Sequence, residues 1–321
     1  MKIMKQSKKK LFMAIGLITG VTILTSAALA NYTTSNGYEV GKKSVKGLFK
    51  NENYTAHTEF ALSVDGTVIS KDISDELYDR NGDVRINREE VGYSSFQGDG
   101  SERRYKFYQQ DDISISYYSD STDDAEGSTY VHKGIYGRSG MFDGMYTNDE
   151  QENETIGKII RFVELAGDTV VGDLKNNIVY VSGDDDSASY EINLDAIQIP
   201  ELANAGLSAF FSTLAQNTYN QDDPYMILGT DPIVKGAFLH FTVDNEGRLT
   251  EAKGNVTVSG NGHEAAVDLY LTMSDYGTTV PQRVDISSMP NVTTYDEDGH
   301  EKIVTKTTEE GETVEIEYPV G

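Results

Sequence analysis

The sequence predicts an α+β, mainly β fold: a large curved antiparallel sheet, an open half-barrel, with a few packing helices. Three observations lead there. Apolar residues alternate with polar ones through most of the chain, Gly, Asn and Asp punctuate these runs, and helical spacing is confined to a few short stretches. No internal repeat of fixed period interrupts this pattern.

The first element is a leader. Lys2, Lys5 and Lys8 to Lys10 precede twenty largely apolar residues, Leu11 to Ala30, and polar sequence follows. The basic flank is the positive-inside pattern, and Ala28-Leu29-Ala30 before Asn31 fits a small-x-small cleavage site. The apolar run is also about as long as a bilayer-spanning helix, roughly 20 residues. Residues 1–30 are therefore expected to be a signal peptide or an N-terminal membrane anchor. In either case the body is extracytoplasmic, membrane-anchored or secreted.

After a polar linker, Tyr38 to Phe49 is expected to form a short helix with Tyr38, Val45, Leu48 and Phe49 near one face. Period two then takes over. Phe60, Leu62 and Val64 alternate with Glu59, Ala61 and Ser63, and Asp65-Gly66 turns the chain into Thr67-Val68-Ile69. A second hairpin is expected at Asn81-Gly82, between Leu77-Tyr78 and Val84-Arg85-Ile86. Further strands are expected at Arg104 to Gln109, Ile113 to Tyr118 and Thr129 to His132. Thr155 to Ala166 and Pro200 to Gln216 carry apolar stripes at helical spacing, and Ile178 to Val181 and Ser189 to Leu194 read as strands between them. The closing meander is Ala237 to Val243, Asn255 to Val258 and Ala265 to Met273. In its last strand Val267, Leu269 and Leu271 face one way and Asp268, Tyr270 and Thr272 the other, so one face is wet. The half-barrel domain is expected to span residues 31–289. An acidic C-terminal tail, residues 290–321, follows it, with nine acidic residues between Asp296 and Glu317 and a turn signal at Glu310-Gly311.

Composition narrows the function. There is no cysteine, hence no disulfide, no thiol chemistry and no lipobox cysteine. Five of the 27 basic residues lie in the leader, so 22 face 52 acidic ones in the rest, a formal charge of −30. That charge repels a phosphate backbone and an anionic membrane surface, which excludes nucleic acid as a partner.

The sharpest local motif is Asp79 to Glu90, which resembles a calcium-binding EF-hand or dockerin loop. Asp79, Asn81, Asp83, Asn87 and Glu90 stand at positions one, three, five, nine and twelve. Position six, normally glycine, is Val84, whose branched side chain resists positive φ. A hairpin turning at Asn81-Gly82 explains the same residues, so no metal ligand and no cofactor is assigned. Asp184-Asp185-Asp186 and Asp123-Asp124 sit in turn sequence, where Asp bonds its own backbone. His57, His132, His240, His263 and His300 are scattered singly, and Gly137-Arg138-Ser139-Gly140 lacks nucleophile-elbow spacing. No catalytic motif is found, and no catalytic or ligand-binding residue is assigned. Twenty tyrosines and no tryptophan remain conspicuous, with Tyr105, Tyr108, Tyr117, Tyr118, Tyr130, Tyr136 and Tyr146 concentrated in one stretch. They suit half-buried strands, and would also suit a groove for a lipid or peptide.

The opening Thr34-Ser35-Asn36-Gly37-Tyr38 and the meander from Phe238 to Pro281 carry a family resemblance, above all Val243 to Thr250 and Ser274 to Pro281. The order resembles exported lipoproteins of Firmicutes whose body is similar to the LolA, LppX and RseB superfamily, over Asn31 to about Met289. The resemblance implies a noncatalytic role in a Gram-positive cell envelope: holding a lipid or polypeptide segment in a concave apolar face, or sensing envelope state for a membrane-bound regulatory protein. It supplies no site residue, and the missing lipobox cysteine leaves Leu11 to Ala30 as the only membrane attachment. A second reading is an acidic surface protein binding calcium or cell-wall partners.

Overall fold

A computed structural model describes residues 37–48, 51–94, 101–120, 127–133, 178–197, 199, 204, 227–229, 231–295, 301–307 and 313–317. The leader, the linker after it and the stripe at Thr155 to Ala166 lie outside the described residues. Of Pro200 to Gln216 only Asn204 is described, and it is helical. Among the described residues no helix is long and apolar enough to cross a membrane.

The fold class is the expected one, α+β and mainly β. Helix α1 is Gly37–Leu48. The strands are β1 (Asn53–Val64), β2 (Thr67–Asp79), β3 (Val84–Ser94), β4 (Ser101–Gln110), β5 (Ile113–Asp120), β6 (Ser128–Lys133), β7 (Ile178–Gly183), β8 (Ser187–Asp195), β9 (Ile233–Asp244), β10 (Leu249–Gly260), β11 (His263–Ser274), β12 (Val292–Tyr295), β13 (Glu301–Thr307) and β14 (Thr313–Glu317). They belong to one large open sheet, hydrogen-bonded in the order β14-β13-β12-β6-β5-β4-β3-β2-β1-β11-β10-β9-β8-β7. Strands β2 to β6 pair antiparallel in succession, as do β7 to β11 and β12 to β14, while β12 lies parallel to β6. The stretch expected to be an acidic tail thus carries β12 and the antiparallel pair β13 and β14, with Thr307 opposite Thr313.

The chain divides into two compact units. The helix unit comprises Met1–Leu48, Glu59–Ile69 and Tyr146–Thr272, and the strap unit Phe49–Thr58, Ser70–Met145 and Met273–Gly321.

In the helix unit the alternation is regular. Residues Tyr190, Ile192 and Leu194 of β8 pair with Phe241, Leu239 and Ala237 of β9. These in turn pair with Ala252, Gly254 and Val256 of β10. One face is therefore apolar across the whole meander. The tight turn at Asn261-Gly262 sets its register. Both residues have positive φ, 53° and 84°, the type I′ geometry whose twist matches the flanking strands. Asp65-Gly66, with φ of 47° and 79°, turns β1 into β2 in the same way. Helix α1 lies against β7, β9 and β10. Its approach depends on Gly41, where an added Cβ would come within 3.2 Å of Cζ of Phe241. Leu48, the last residue of the helix, is buried, and buried Ser44 satisfies its hydroxyl on Gly41 O at 2.9 Å.

The strap unit solves a different problem. The segment Asp275 to Asn291 carries the chain from the end of β11 to β12, which lies beside β6. It is fastened strand by strand. The Thr279 amide donates to Oδ1 of Asn53 at 2.8 Å, and Nδ2 of Asn53 donates back to Thr279 O at 2.9 Å. Nδ2 of Asn87 donates to Gln282 O at 2.8 Å, and Nε2 of Gln110 to Val284 O at 3.0 Å. Finally Nδ2 of Asn291 reaches Gly127 O at 2.7 Å. Beneath the strap Val284, Ile286 and Met289 pack on Tyr108, Ile115, Val131 and Val292. One face of this sheet is thereby closed by the chain itself.

Candidate functional site

The helix unit presents an extended apolar face. Ile192, Leu194, Val234, Ala237, Val256, Val258 and Ala265 are buried there, joined by Ile199 and Leu228. Around this cluster Leu62, Val64, Ile227 and Leu239 remain only partly buried, and Leu269 likewise. The opposite face is wet, as the alternation in β11 requires. Nδ2 of Asn255 donates to Asp268 at 2.7 Å, Nζ of Lys253 pairs with Glu251 at 3.0 Å, and the same ammonium lies 5.1 Å from the Tyr270 ring centroid. A strand that is apolar on one side and solvated on the other can take an apolar group only on the first.

The strap unit places charge where the helix unit places hydrocarbon. Glu76 of β2 stands directly opposite Arg88 of β3, so their side chains share a face. Glu76 is fully buried and the Arg88 side chain 15% exposed. Nε of Arg88 donates to Oε2 of Glu76 at 2.6 Å, its Nη2 reaches the same oxygen, and the Tyr54 hydroxyl donates to Oε1 at 2.7 Å. Burial works against the Arg88 charge, but Glu76 and Glu90 outweigh it and hold the guanidinium well above its ordinary value. Burial also raises Tyr105 on this face, partly offset by its contact with Ser116 at 3.4 Å. The cluster is a satisfied ionic pair with a phenol on each side, built to stay charged.

The tyrosine stretch does not form one wall. Register places Tyr105, Tyr118 and Tyr130 on the Arg88 face, whereas Tyr108 and Tyr117 point to the strap. Under the strap Tyr108 is pushed up to about 12 by burial and by Glu89, whose carboxylate accepts its hydroxyl at 3.4 Å. Tyr136 and Tyr146 lie outside the described residues.

The twelve-residue segment Asp79 to Glu90 is a β-hairpin. Tyr78 pairs with Ile86, and β3 begins at Val84, so every later donor stands on extended backbone. Asn87 is spent on the strap, and Glu90 projects from the opposite face beside Arg88. Donors on two sides of one strand cannot close around a cation. Asp79 instead accepts the Asn81 amide at 3.2 Å, a turn bond. Asp184 does the same for Asp186 and Ser187, at 2.9 and 2.8 Å, which holds its carboxyl below the ordinary range. Asp123-Asp124 lies outside the described residues, as does His300.

The described histidines take separate partners. His57 meets Asp75 at 2.7 Å, His263 meets Asp65 at 2.8 Å, His240 approaches Glu191 at 3.7 Å, and His132 stacks on Tyr295 with centroids 4.6 Å apart. A shallow recess of about 490 Å³ opens beside Asp65, Asp231, His263 and Glu264. Among the described residues no three metal-ligating side chains converge. Sequence reasoning missed the Glu76–Arg88 pair. The signal available was a carboxylate and a guanidinium at the inward phase, two residues from Tyr78 and Ile86.

Fold and faces together define a mainly β protein with a two-faced open sheet. No family model matches the chain, and no curated protein matches it. Among solved structures it is similar to a β-barrel-like protein of the DUF1849 domain of unknown function from Brucella abortus, at 10% identity over 70% of this chain and 99% of that one, with a TM-score of 0.22. A DUF1329 family protein from Desulfovibrio piger is similar at 9% identity over 79% of this chain and 97% of that one, with a TM-score of 0.18.

Proposed function

We propose that this protein is an extracytoplasmic, noncatalytic binding or envelope-sensing module that holds a lipid chain or polypeptide segment on the apolar face of the helix unit. The observation that carries the reading is the incomplete burial of Leu62, Val64 and Leu239 beside a fully buried aliphatic cluster. Such a border is where an added apolar group gains most, roughly 25 cal/mol for each Å² removed from water. The Lys-rich leader supports the address outside the cytoplasm, with residues 11–30 as the tie to the membrane. The acidic body supports a neutral or cationic ligand rather than an anionic one.

The test is native mass spectrometry of the full chain extracted from an exporting Gram-positive host, followed by titration with an uncharged fluorescent lipid, a labelled diacylglycerol. A retained lipid, or saturable probe binding, is expected. Leu239→Gln should weaken the probe about tenfold, or 1.4 kcal/mol, with cooperative unfolding retained. A retained peptide in place of lipid selects the polypeptide form of the reading. Neither a retained ligand nor saturable probe binding would overturn it.

A further inference from the structure

Among the described residues β7, the last strand of the sheet order, is paired on one side only, with β8. Its sequence is Ile178-Val179-Tyr180-Val181-Ser182-Gly183, with neither charge nor proline. Val179, Tyr180 and Val181 are 60%, 57% and 50% exposed, three consecutive large apolar side chains in water. An edge strand turns alternate N–H and C=O groups outward, and proteins ordinarily blunt such edges with Lys, Pro, a covering segment or a strong twist. Here the partial measures are a register shift after Tyr180 and the packing of the Tyr180 ring edge-on to Tyr190, with centroids 5.9 Å apart. They leave the apolar side chains outward.

The charge beside the edge selects the partner. β7 runs directly into Asp184-Asp185-Asp186, an exposed turn whose carboxylates are not neutralised by a basic side chain within the turn. Asp184 is held ionised by two amides and the Ser187 hydroxyl. A second copy of the chain would bring a net charge of −25 against an equal one. A cationic segment instead meets opposite charge at the strand end.

We propose that β7 is a strand-addition site for an extended basic polypeptide segment, which continues the sheet through backbone hydrogen bonds and sets its alternate β-branched side chains on Val179 and Val181 while its Lys or Arg residues reach Asp184 to Asp186. Backbone pairing supplies affinity and the side chains supply selection. This site is separate from the apolar face of the helix unit.

The test uses the full chain and three synthetic peptides of about eight residues, a usual strand length scale: alternating Lys and Val, the same peptide N-methylated at alternate amides, and alternating Glu and Val. Isothermal titration should show saturable binding of the first. N-methylation, which leaves charge and side chains but blocks ladder bonds, should weaken it at least about tenfold. The Glu peptide should not bind. The Val179→Lys/Val181→Lys variant should lose the Lys–Val peptide while keeping its unfolding midpoint, and Leu239→Gln should leave that binding unchanged. Equal binding of the N-methylated peptide, undiminished binding by the lysine variant, or no binding at all would overturn the proposal. So would a dimer in sedimentation that the lysine variant abolishes, since the edge would then belong to a second copy.

Discussion

At the inward positions of β8 and β9 the helix unit carries Ile192, Leu194 and Ala237, while at comparable positions of β2 and β3 the strap unit carries Glu76 and Arg88. Both sets are largely withdrawn from water, with Arg88 still 15% exposed, but the consequences differ. An aliphatic face adapts to its contents, because removing or adding a methylene changes only contact area and local packing. A buried ion pair tolerates one geometry, since each charge depends on its partner for the solvation it has lost. The comparison teaches that one unit has a surface suited to accepting a variable apolar guest, and the other a surface fixed in shape by charge. The strap unit buries hydrocarbon on both faces, Tyr78, Ile86 and Phe107 beside the ion pair and Tyr108, Ile115 and Val131 under Val284, Ile286 and Met289 of the strap.

The largest effect should come from separating the ion pair. Arg88→Met removes the guanidinium from buried Glu76, and should cost about 3–5 kcal/mol in urea unfolding. The double variant Glu76→Leu/Arg88→Met should recover most of that loss, because apolar side chains of similar volume do not need the partner. If the double variant is as damaged as the single, the pair is doing more than compensating its own burial, and the contrast between the units weakens.

The second test strikes the helix unit. A Cβ at Gly260 would stand 2.2 Å from Leu228 O, and backbone cannot give way as a side chain can. Gly260→Ala should cost about 1–3 kcal/mol and loosen the end of the apolar face beside Leu228 and Val258. Gly262, by contrast, has no neighbour within 4 Å of the added carbon but has φ of 84°. Comparing alanine at the two positions separates crowding from backbone strain in one hairpin.

Much of the fold is legible in the sequence, and the reasons are local. Asp65-Gly66 and Asn261-Gly262 announce their turns because residues that tolerate positive φ are few. Val267, Leu271 and Met273 announce their face because the pleat has period two. What stays hidden depends on distant partners. Nothing near Asn87 says that Gln282 will occupy it, and nothing near Glu76 says that Arg88 will stand opposite until the register is known. The tyrosines mislead for the same reason: Tyr117 and Tyr118 are adjacent in sequence and on opposite faces of β5. In the acidic stretch the turn signal at Glu310-Gly311 points to a hairpin and the charge to a tail without strands, and β13 and β14 pair there. The candidate face was legible as alternation, but its partly buried border at Leu62, Val64 and Leu239 was not.

The smallest expected effect concerns acid. Burial would raise the Asp244 carboxyl, but the Arg248 and Glu246 amides, at 2.8 and 3.0 Å, and Nε of Arg248, at 2.7 Å, outweigh it and hold the group below its ordinary value. A carboxyl with a depressed native pKa stabilises fully above its unfolded value, about 3.9. It loses that contribution as pH falls through the lower native value. Asp244→Asn should therefore cost about 1 kcal/mol at pH 7, and progressively less below about pH 4, where the parent also loses the charge. The measurement is the unfolding midpoint of both proteins from pH 7 down to the acid limit of reversible folding. A gap that stays constant through the acid range would mean that the turn is held by hydrogen-bond shape alone. In the strap unit, Asp111 and Arg283 give the matching surface case, a paired carboxyl also held below its ordinary value but half exposed on both sides. Its removal should shift the unfolding midpoint less than Asp244→Asn does, and high salt should erase even that, because water screens what the helix unit's turn keeps partly enclosed.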